Sequence, residues 1–230
     1  MKGGTKLLGA VAVAGMAVFL AVPAQAADQY IFGFSDYNVN NKLILDGGTV
    51  QLGMYDQGWY FENGTHDTWN QNYIVGHCET CSLSGEFRNW FAFDIANLTS
   101  PVSSLDLYLY SYDVTLTSGN YYLNDYTGSI TDLMAGTGGV AAFNDLGSGT
   151  NFGFNFYQST ESNTYQTISL NSAAVADLNA AILGSAGFWA LGGSFLAGDT
   201  PVPPQPVPHP APIALLAIGL AGVGLIRRWR

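Results

Sequence analysis

Positive charge is scarce in this 230-residue sequence, which has seven Lys and Arg against 17 Asp and Glu. Five of the seven basic residues lie within the first six or the last four positions. Residues 27–200 therefore keep only Lys42 and Arg88 against all 17 acidic residues, a formal charge of −15. Such a surface repels phosphate backbones, which excludes nucleic acid as a partner. The acidic surface favours solubility of the domain. Calcium binding is the weaker alternative, because no Asp-x-Asp-x-Asp-Gly loop is present.

The sequence also lacks the motifs of common catalytic and cofactor sites. It has three His and no Gly-x-Ser-x-Gly nucleophile elbow. The glycines at 136, 138 and 139 do not have the Gly-x-Gly-x-x-Gly spacing of a dinucleotide loop. We therefore expect no enzyme activity, no cofactor and no metal. One alternative stays open, a glycan hydrolase that uses two carboxylates from the acidic set Glu62, Asp67, Glu79 and Glu86.

The first 26 residues have the pattern of a secretory signal peptide. Lys2 and Lys6 precede an apolar stretch at 7–22. Small residues then occupy the cleavage site, Ala24 and Ala26 before the cut and Ala27 after it. The expected partners of this segment are the secretion machinery and a signal peptidase, and fold arguments apply to residues 27–200.

The last 30 residues combine a spacer, an apolar segment and a basic end. Residues 201–211 are proline-rich and contain the run Val207, Pro208, His209, Pro210 and Ala211. Residues 213–226 are apolar and span about 21 Å as a helix, less than the hydrocarbon core of about 30 Å. A core helix is thus an alternative, but snorkelling arginines can lengthen the span. We expect 212–230 to form a membrane-anchoring helix that stops at Arg227, Arg228 and Arg230 on the cytoplasmic side.

Together, the spacer, short apolar helix and arginine end resemble the PEP-CTERM sorting signal in its VPxPA variant. This resemblance covers residues 202–230 and implies an exported bacterial surface protein recognised by an exosortase, in an organism that makes exopolysaccharide and biofilm. His209 departs from the family pattern, which more often has glutamate there. Residues 135–149 and 87–94 are similar to segments in exported domains of that family, which implies a sandwich over about residues 70–195 with no assigned biochemical role.

The composition of residues 27–200 favours strands, and we predict a single all-β domain, a jelly-roll-like antiparallel β-sandwich with one short amphipathic helix. Alternation is clearest at 86–95 and at 104–112, where Leu105, Leu107 and Leu109 should point inward. These two runs are expected to be antiparallel neighbours. The helix should begin at Asn171 or Ser172 and end at Gly184. Further strands are predicted at 30–34, 43–45, 49–52, 59–61, 73–75, 121–126, 152–157, 165–170 and 188–191.

Cys78 and Cys81 are the only cysteines. An exported protein favours a disulfide between them, which is the leading interpretation. A thioredoxin-like redox pair is one alternative, and a metal site completed by His66 and His77 is another.

Residues 55–73 mix aromatic side chains with Asp, Asn and Gln, a combination suited to sugars. Trp59, Tyr60, Trp69 and Tyr73 are the candidate glycan contacts, although core packing is the favoured alternative for them. Three hypotheses result. The first is a non-enzymatic cell-surface or matrix protein associated with exopolysaccharide, the second a carbohydrate-binding module, and the third the carboxylate-dependent hydrolase.

Overall fold

The computed structural model describes residues 27–35 and 40–197. The predicted signal peptide (1–26), proline-rich spacer (201–211) and anchoring helix (212–230) lie outside these residues. The strands are β1 (Gln29–Gly33), β2 (Lys42–Leu45), β3 (Val50–Gly53), β4 (Asp56–Phe61), β5 (Tyr73–Cys78), β6 (Gly85–Asp94), β7 (Leu105–Ser111), β8 (Asp113–Thr115), β9 (Ser118–Asp125), β10 (Asn151–Gln158), β11 (Thr164–Leu170) and β12 (Phe188–Ala197). The described residues contain three α-helices where the fold prediction had one, α1 (Ile130–Met134), α2 (Gly139–Leu146) and α3 (Ser172–Leu183). Within the described part of the chain, no helix has the length and apolar character to cross a membrane.

The strands form two antiparallel sheets, which confirms the all-β prediction. Sheet A has eight strands in the order β10-β9-β12-β6-β5-β1-β8, with β4 also paired to β6, and it curls into a half-barrel. Sheet B has four strands in the order β11-β7-β2-β3. The main core lies between the two sheets, so each sheet contributes one apolar face.

Strand β7 shows how the alternating pattern builds this core. Leu105, Leu107 and Leu109 are buried, whereas Asp106 and Tyr108 on the other face remain partly exposed. Side chains alternate between the two faces of a strand, so a period of two places every leucine on the same side. Burying each leucine stabilises the fold by about 1.5–3 kcal/mol, which fixes the register of β7.

The prediction that the runs 86–95 and 104–112 are paired neighbours is wrong. Strand β6 pairs with β4, β5 and β12, whereas β7 pairs with β2 and β11 in the other sheet. Residues 95–104 cross from one sheet to the other, so the two strands contribute to the same core from opposite sides. Alternation alone identifies the apolar face of each strand but does not tell which strand covers it.

Helix α3 closes the sandwich where β10 and β11 lie at the edges of their sheets. It begins, as predicted, at Asn171, whose side chain accepts hydrogen bonds from the backbone N–H groups of Ala173 and Ala174. Leu178 and Ile182 enter the main core. Ala174 is buried there too, and the partly buried Val175 packs against the same core.

Helices α1 and α2 cover the outer face of sheet A and create a second, smaller core. Trp90, Ala92 and Ala190 from the sheet pack there against Leu133 of α1 and Phe143 of α2. Strand β6 is therefore buried on both faces. This covered outer face positions the candidate functional site.

Candidate functional site

The hydroxyl of Tyr60 fixes the segment between α1 and α2 to sheet A. Tyr60 is fully buried, and its hydroxyl donates to the carbonyl oxygen of Leu133 at 3.0 Å. The hydroxyl oxygen of Tyr60 in turn accepts a hydrogen bond from the N–H of Gly138 at 3.3 Å. Burial raises the pKa of Tyr60, so the group remains a neutral phenol that can donate and accept.

Arg88 of β6 holds the other end of α2. Its Nη1 donates to the carbonyl oxygens of Phe143 and Asn144 at 3.0 and 3.2 Å, and its guanidinium lies 4.2 Å from the centroid of the Phe143 ring. Its Nε also donates to Glu86 at 3.0 Å. A cation at a helix C-terminus satisfies carbonyls that have no partner within the helix. Arg88 therefore fixes the position of α2 on the sheet.

Residues 62–72, between β4 and β5, form a loop that lies beside α2. Its central side chain is His66, whose ring stacks on Tyr60 with a centroid separation of 5.0 Å. The Nδ1–H of His66 donates to the carbonyl oxygen of Trp59 at 2.6 Å, which places the ring proton on Nδ1. Burial lowers the pKa of His66, and the hydrogen bond to Trp59 and the charges of Asp56 and Asp67 oppose that shift.

Two glycines permit the close contact between this loop and the α1–α2 segment. Gly64 has a φ of 86°, and a Cβ there would overlap the backbone of Val140. Gly136 has a φ of 71°, and a Cβ there would lie 2.8 Å from Cδ2 of His66 and 3.0 Å from Cγ2 of Thr68. Larger residues would be strained at both positions, so the loop and the helices form one packed unit.

The loop carries its own hydrogen bonds around Trp69. The carboxylate of Asp67 accepts from the N–H of Trp69 at 3.0 Å, and the carbonyl oxygen of Asp67 accepts from Asn70 at 3.0 Å. Gln71 donates to Asp56 at 2.9 Å, and its carbonyl accepts from Gln57 at 2.9 Å. These contacts hold the backbone on both sides of Trp69 in a turn anchored to β4.

The side chain of Trp69 itself projects into solvent and is 95% exposed. Both faces of its indole are therefore accessible to a ligand. An exposed tryptophan on an ordered loop is unusual, since this side chain usually buries its large apolar area. Its neighbours in the chain are polar, which gives hydrogen-bonding groups beside a flat aromatic surface.

A cavity of about 540 Å³ opens in the α1–α2 layer. Gly138, which bonds Tyr60, lies in its wall, two residues along the chain from Gly136, against which the loop packs. The polar and aromatic residues of its lining are Tyr126, Ser129, Asp132, Thr137, Asn144, Asp145 and Ser148. Burial, together with Tyr60, Asp145 and Asp132, raises the pKa of Tyr126 to about 12. No sequence pattern predicts this cavity, because its residues meet only when α1 and α2 pack.

Three of the four aromatic residues predicted as glycan contacts are buried. Trp59 is 8% exposed and packs edge-on against Phe87, and Tyr60 lies under α1. Tyr73 belongs to the main core, where its hydroxyl donates to the carbonyl oxygen of Tyr110 at 2.9 Å. These three side chains present no free ring face to a sugar, and core packing explains them. Only Trp69 keeps the geometry that the prediction requires.

Another set of tyrosines lies on the outer face of sheet B. The rings of Tyr108 and Tyr165 stack in parallel with centroids 4.7 Å apart, and Nζ of Lys42 lies 5.2 Å from the Tyr108 centroid. The Tyr110 ring adds a tilted contact to Tyr165 at 5.1 Å. Because the rings of Tyr108 and Tyr165 face each other, one face of each ring is already engaged. This group stabilises the pairing of β7 and β11.

Cys78 and Cys81 are joined by a disulfide, in agreement with the leading interpretation of the sequence. Asp28 caps the loop between them by accepting from the N–H groups of Glu79 and Thr80 at 2.6 and 3.1 Å. His77 bonds Glu79 at 2.7 Å. Within residues 27–35 and 40–197, no group of three or more His, Cys, Asp or Glu side chains is placed to hold a metal.

The chain matches no protein-family model, and a search of curated proteins likewise finds no match.

Proposed function

We propose that this protein is exported and sorted by an exosortase, and that it is a non-enzymatic component of the cell surface or extracellular matrix. The signal-like first 26 residues and the tail that resembles the VPxPA sorting signal support this proposal. The disulfide supports it further, since such bonds persist in oxidising compartments. The strand pattern is in keeping with a jelly-roll-like sandwich, an architecture found in many surface and binding proteins.

We further propose that the protein acts there as a carbohydrate-binding module. The observation that carries this proposal is the 95% exposure of Trp69 on a loop held by His66, Asp67 and Gln71. Sugar rings stack on flat aromatic surfaces, and a loop that is already ordered loses little entropy on binding. The carboxylate and amide groups around Trp69 suit sugar hydroxyls better than they suit an apolar protein partner.

A non-enzymatic role fits the state of Glu79 and Glu86, two of the four acidic residues named as candidates for hydrolysis. Glu79 accepts from His77 and Ser84, and Glu86 accepts from Arg88. Their engagement in structural contacts favours binding over hydrolysis. A turnover assay on soluble polysaccharides would contradict this part of the proposal if it released reducing ends in proportion to the protein added.

The location is tested by cell fractionation of the full-length chain and of a chain that ends at residue 211. We expect the full-length protein at the cell surface or in the medium, with Cys78 and Cys81 oxidised. We expect the shortened chain to be secreted without being sorted. Full-length protein in the cytoplasm with reduced thiols would contradict export.

The binding function is tested on a glycan array with the secreted protein and its Trp69→Ala variant. We expect the variant to lose at least about fivefold in affinity, since stacking on one aromatic ring contributes about 1 kcal/mol or more. The matched control is Tyr55→Ala, which removes another exposed aromatic ring, one that is 56% exposed and contacts Phe188. Equal binding by the wild type and the Trp69 variant would exclude this site.

A further inference from the structure

We infer that the cavity between α1 and α2 binds a sugar unit that carries a primary amine and rejects a sugar unit that carries a carboxylate. This inference rests on the proposed function, because it names the class of polysaccharide that Trp69 would contact. It adds a second, separate contact on the same outer face of sheet A.

The shape of the cavity suits a small polar ligand. Its volume of about 540 Å³ lies in the range of roughly 300–1,000 Å³ typical of small-molecule sites. The lining includes the hydroxyl groups of Ser129, Thr137 and Ser148 and the amide of Asn144. A ligand rich in hydroxyl groups can exchange hydrogen bonds with such a wall, whereas an apolar ligand would leave these groups unpaired.

The charge of the cavity selects among sugars. Asp132 and Asp145 line it, and none of the described residues in its wall is basic. Arg88, which contacts α2, is engaged with Glu86, Phe143 and Asn144. A protonated amine would therefore meet two carboxylates, whereas a uronic acid would meet like charges in a domain of formal charge −15.

Asp132 and Asp145 differ in how far their carboxylate oxygens are already engaged in hydrogen bonds. Asp145 accepts from the N–H groups of Thr127 and Gly128 at 2.8 and 3.0 Å, so it holds the strand-to-helix connection in place. Asp132 accepts from the hydroxyl of Thr137 at 3.1 Å through Oδ1. Its second carboxylate oxygen is the group we assign to the ligand amine. Tyr126, neutral at physiological pH, provides an aromatic wall and a hydroxyl beside them.

The test uses the secreted protein and three disaccharides of similar size, built from glucosamine, glucose and glucuronic acid, with affinities measured by calorimetric titration. We expect the glucosamine disaccharide to bind most tightly, the glucose disaccharide more weakly and the glucuronic acid disaccharide least. Asp132→Asn should weaken glucosamine binding by about fivefold, the effect of one charge pair in a wet site, and change glucose binding by less than about twofold. The control Asp106→Asn makes the same change on sheet B and should alter neither affinity.

A second variant keeps the test decisive if Asp132→Asn perturbs the fold. Ala141 lines the cavity from α2 and is exposed, so Ala141→Leu fills the space without removing a polar contact, and it should abolish disaccharide binding.

Uronic acid binding as tight as glucosamine binding, or unchanged binding by Ala141→Leu, would overturn the inference. Loss of polysaccharide binding in Trp69→Ala without any disaccharide binding would overturn the inference and leave the proposed function standing. If the disaccharides bind but Trp69→Ala has the same polysaccharide affinity as the wild type, the proposed function is contradicted instead.

Discussion

The ring of His66 lies against the ring of Tyr60, with centroids 5.0 Å apart and an interplanar angle of 22°. Because Tyr60 also bonds the α1–α2 segment through its hydroxyl, this single stack connects sheet A, the helices and the loop that carries Trp69. The order of the loop that carries Trp69 therefore depends on this contact.

Replacement of His66 by alanine should loosen this loop. The variant loses the ring stack and the hydrogen bond to Trp59, and we expect the free energy of unfolding to fall by about 1–2 kcal/mol. Hydrogen exchange should accelerate at the amides of Trp69 and Asn70, which are held by Asp67. The control His77→Ala, near the disulfide, should leave these two amides unchanged. Equal protection of the two amides in wild type and His66→Ala would show that the stack does not order the loop.

The lowered pKa of His66 also predicts a pH dependence of stability. The folded state binds this proton less readily than the unfolded state, whose histidine titrates near pH 6.5. The stabilisation is therefore complete above about pH 6.5 and is lost as the pH falls through the lower, folded-state pKa. Denaturant titrations between about pH 4.5 and 7.5 should show this loss in the wild type.

The comparison protein for this measurement is His66→Asn, which keeps a donor for the Trp59 carbonyl but does not titrate. Asp56 contributes with the opposite sign, because burial raises its pKa, but it is present in both proteins. Asp28, Asp46 and Glu79 have lowered pKa values and lose their contribution only at more acidic pH. Parallel stability curves for the two proteins over this range would rule out His66 as the source.

Arg88 should be the more important of the two basic residues in the sandwich. Arg88→Gln removes the charge from the C-terminal carbonyls of α2, and we expect a loss of about 2 kcal/mol in unfolding free energy. Lys42→Gln removes the same charge from a position over the Tyr108 ring and should cost less than about 1 kcal/mol. Urea denaturation of both variants measures the difference. Equal losses would mean that Arg88 does not hold α2 in place.

Much of the fold is predictable from local patterns, as β7 and α3 show. The alternation of Leu105, Leu107 and Leu109 gives the buried face, and Asn171 gives the helix start. The β6–β7 pairing was wrong because the choice between a hairpin and a sheet-to-sheet crossing depends on contacts with distant strands. Strand β8 was missed because Asp113–Thr115 is only three residues long.

The candidate site is less accessible to sequence reasoning. Trp59, Tyr60 and Trp69 lie in the same aromatic and polar stretch, yet two are buried and one is exposed. Strand β4 shows no alternation, since sheet A is covered on both faces there and Gln57–Phe61 are all buried. The covering comes from residues 130–146, which no local pattern connects to the loop 62–72.

The disulfide should make a modest contribution to stability. It closes a ring of four residues, for which the chain-entropy relation gives about 2 kcal/mol. Cys78→Ala with Cys81→Ala should lower the unfolding free energy by about that amount, while Asp28 keeps its contacts to Glu79 and Thr80. Thermal unfolding of the double variant measures the change. A loss above about 4 kcal/mol would indicate that the disulfide stabilises far more than this loop.

The central claim is that Trp69 contacts an extracellular polysaccharide, and ¹⁹F NMR of the secreted protein labelled with 5-fluorotryptophan tests it most directly. Trp69→Phe assigns the resonance, and exopolysaccharide from the producing cells is then titrated into the wild type. We predict that the Trp69 resonance shifts or broadens, while those of the buried Trp90 and Trp189 stay in place. A Trp69 resonance that does not change in excess polysaccharide would contradict the account.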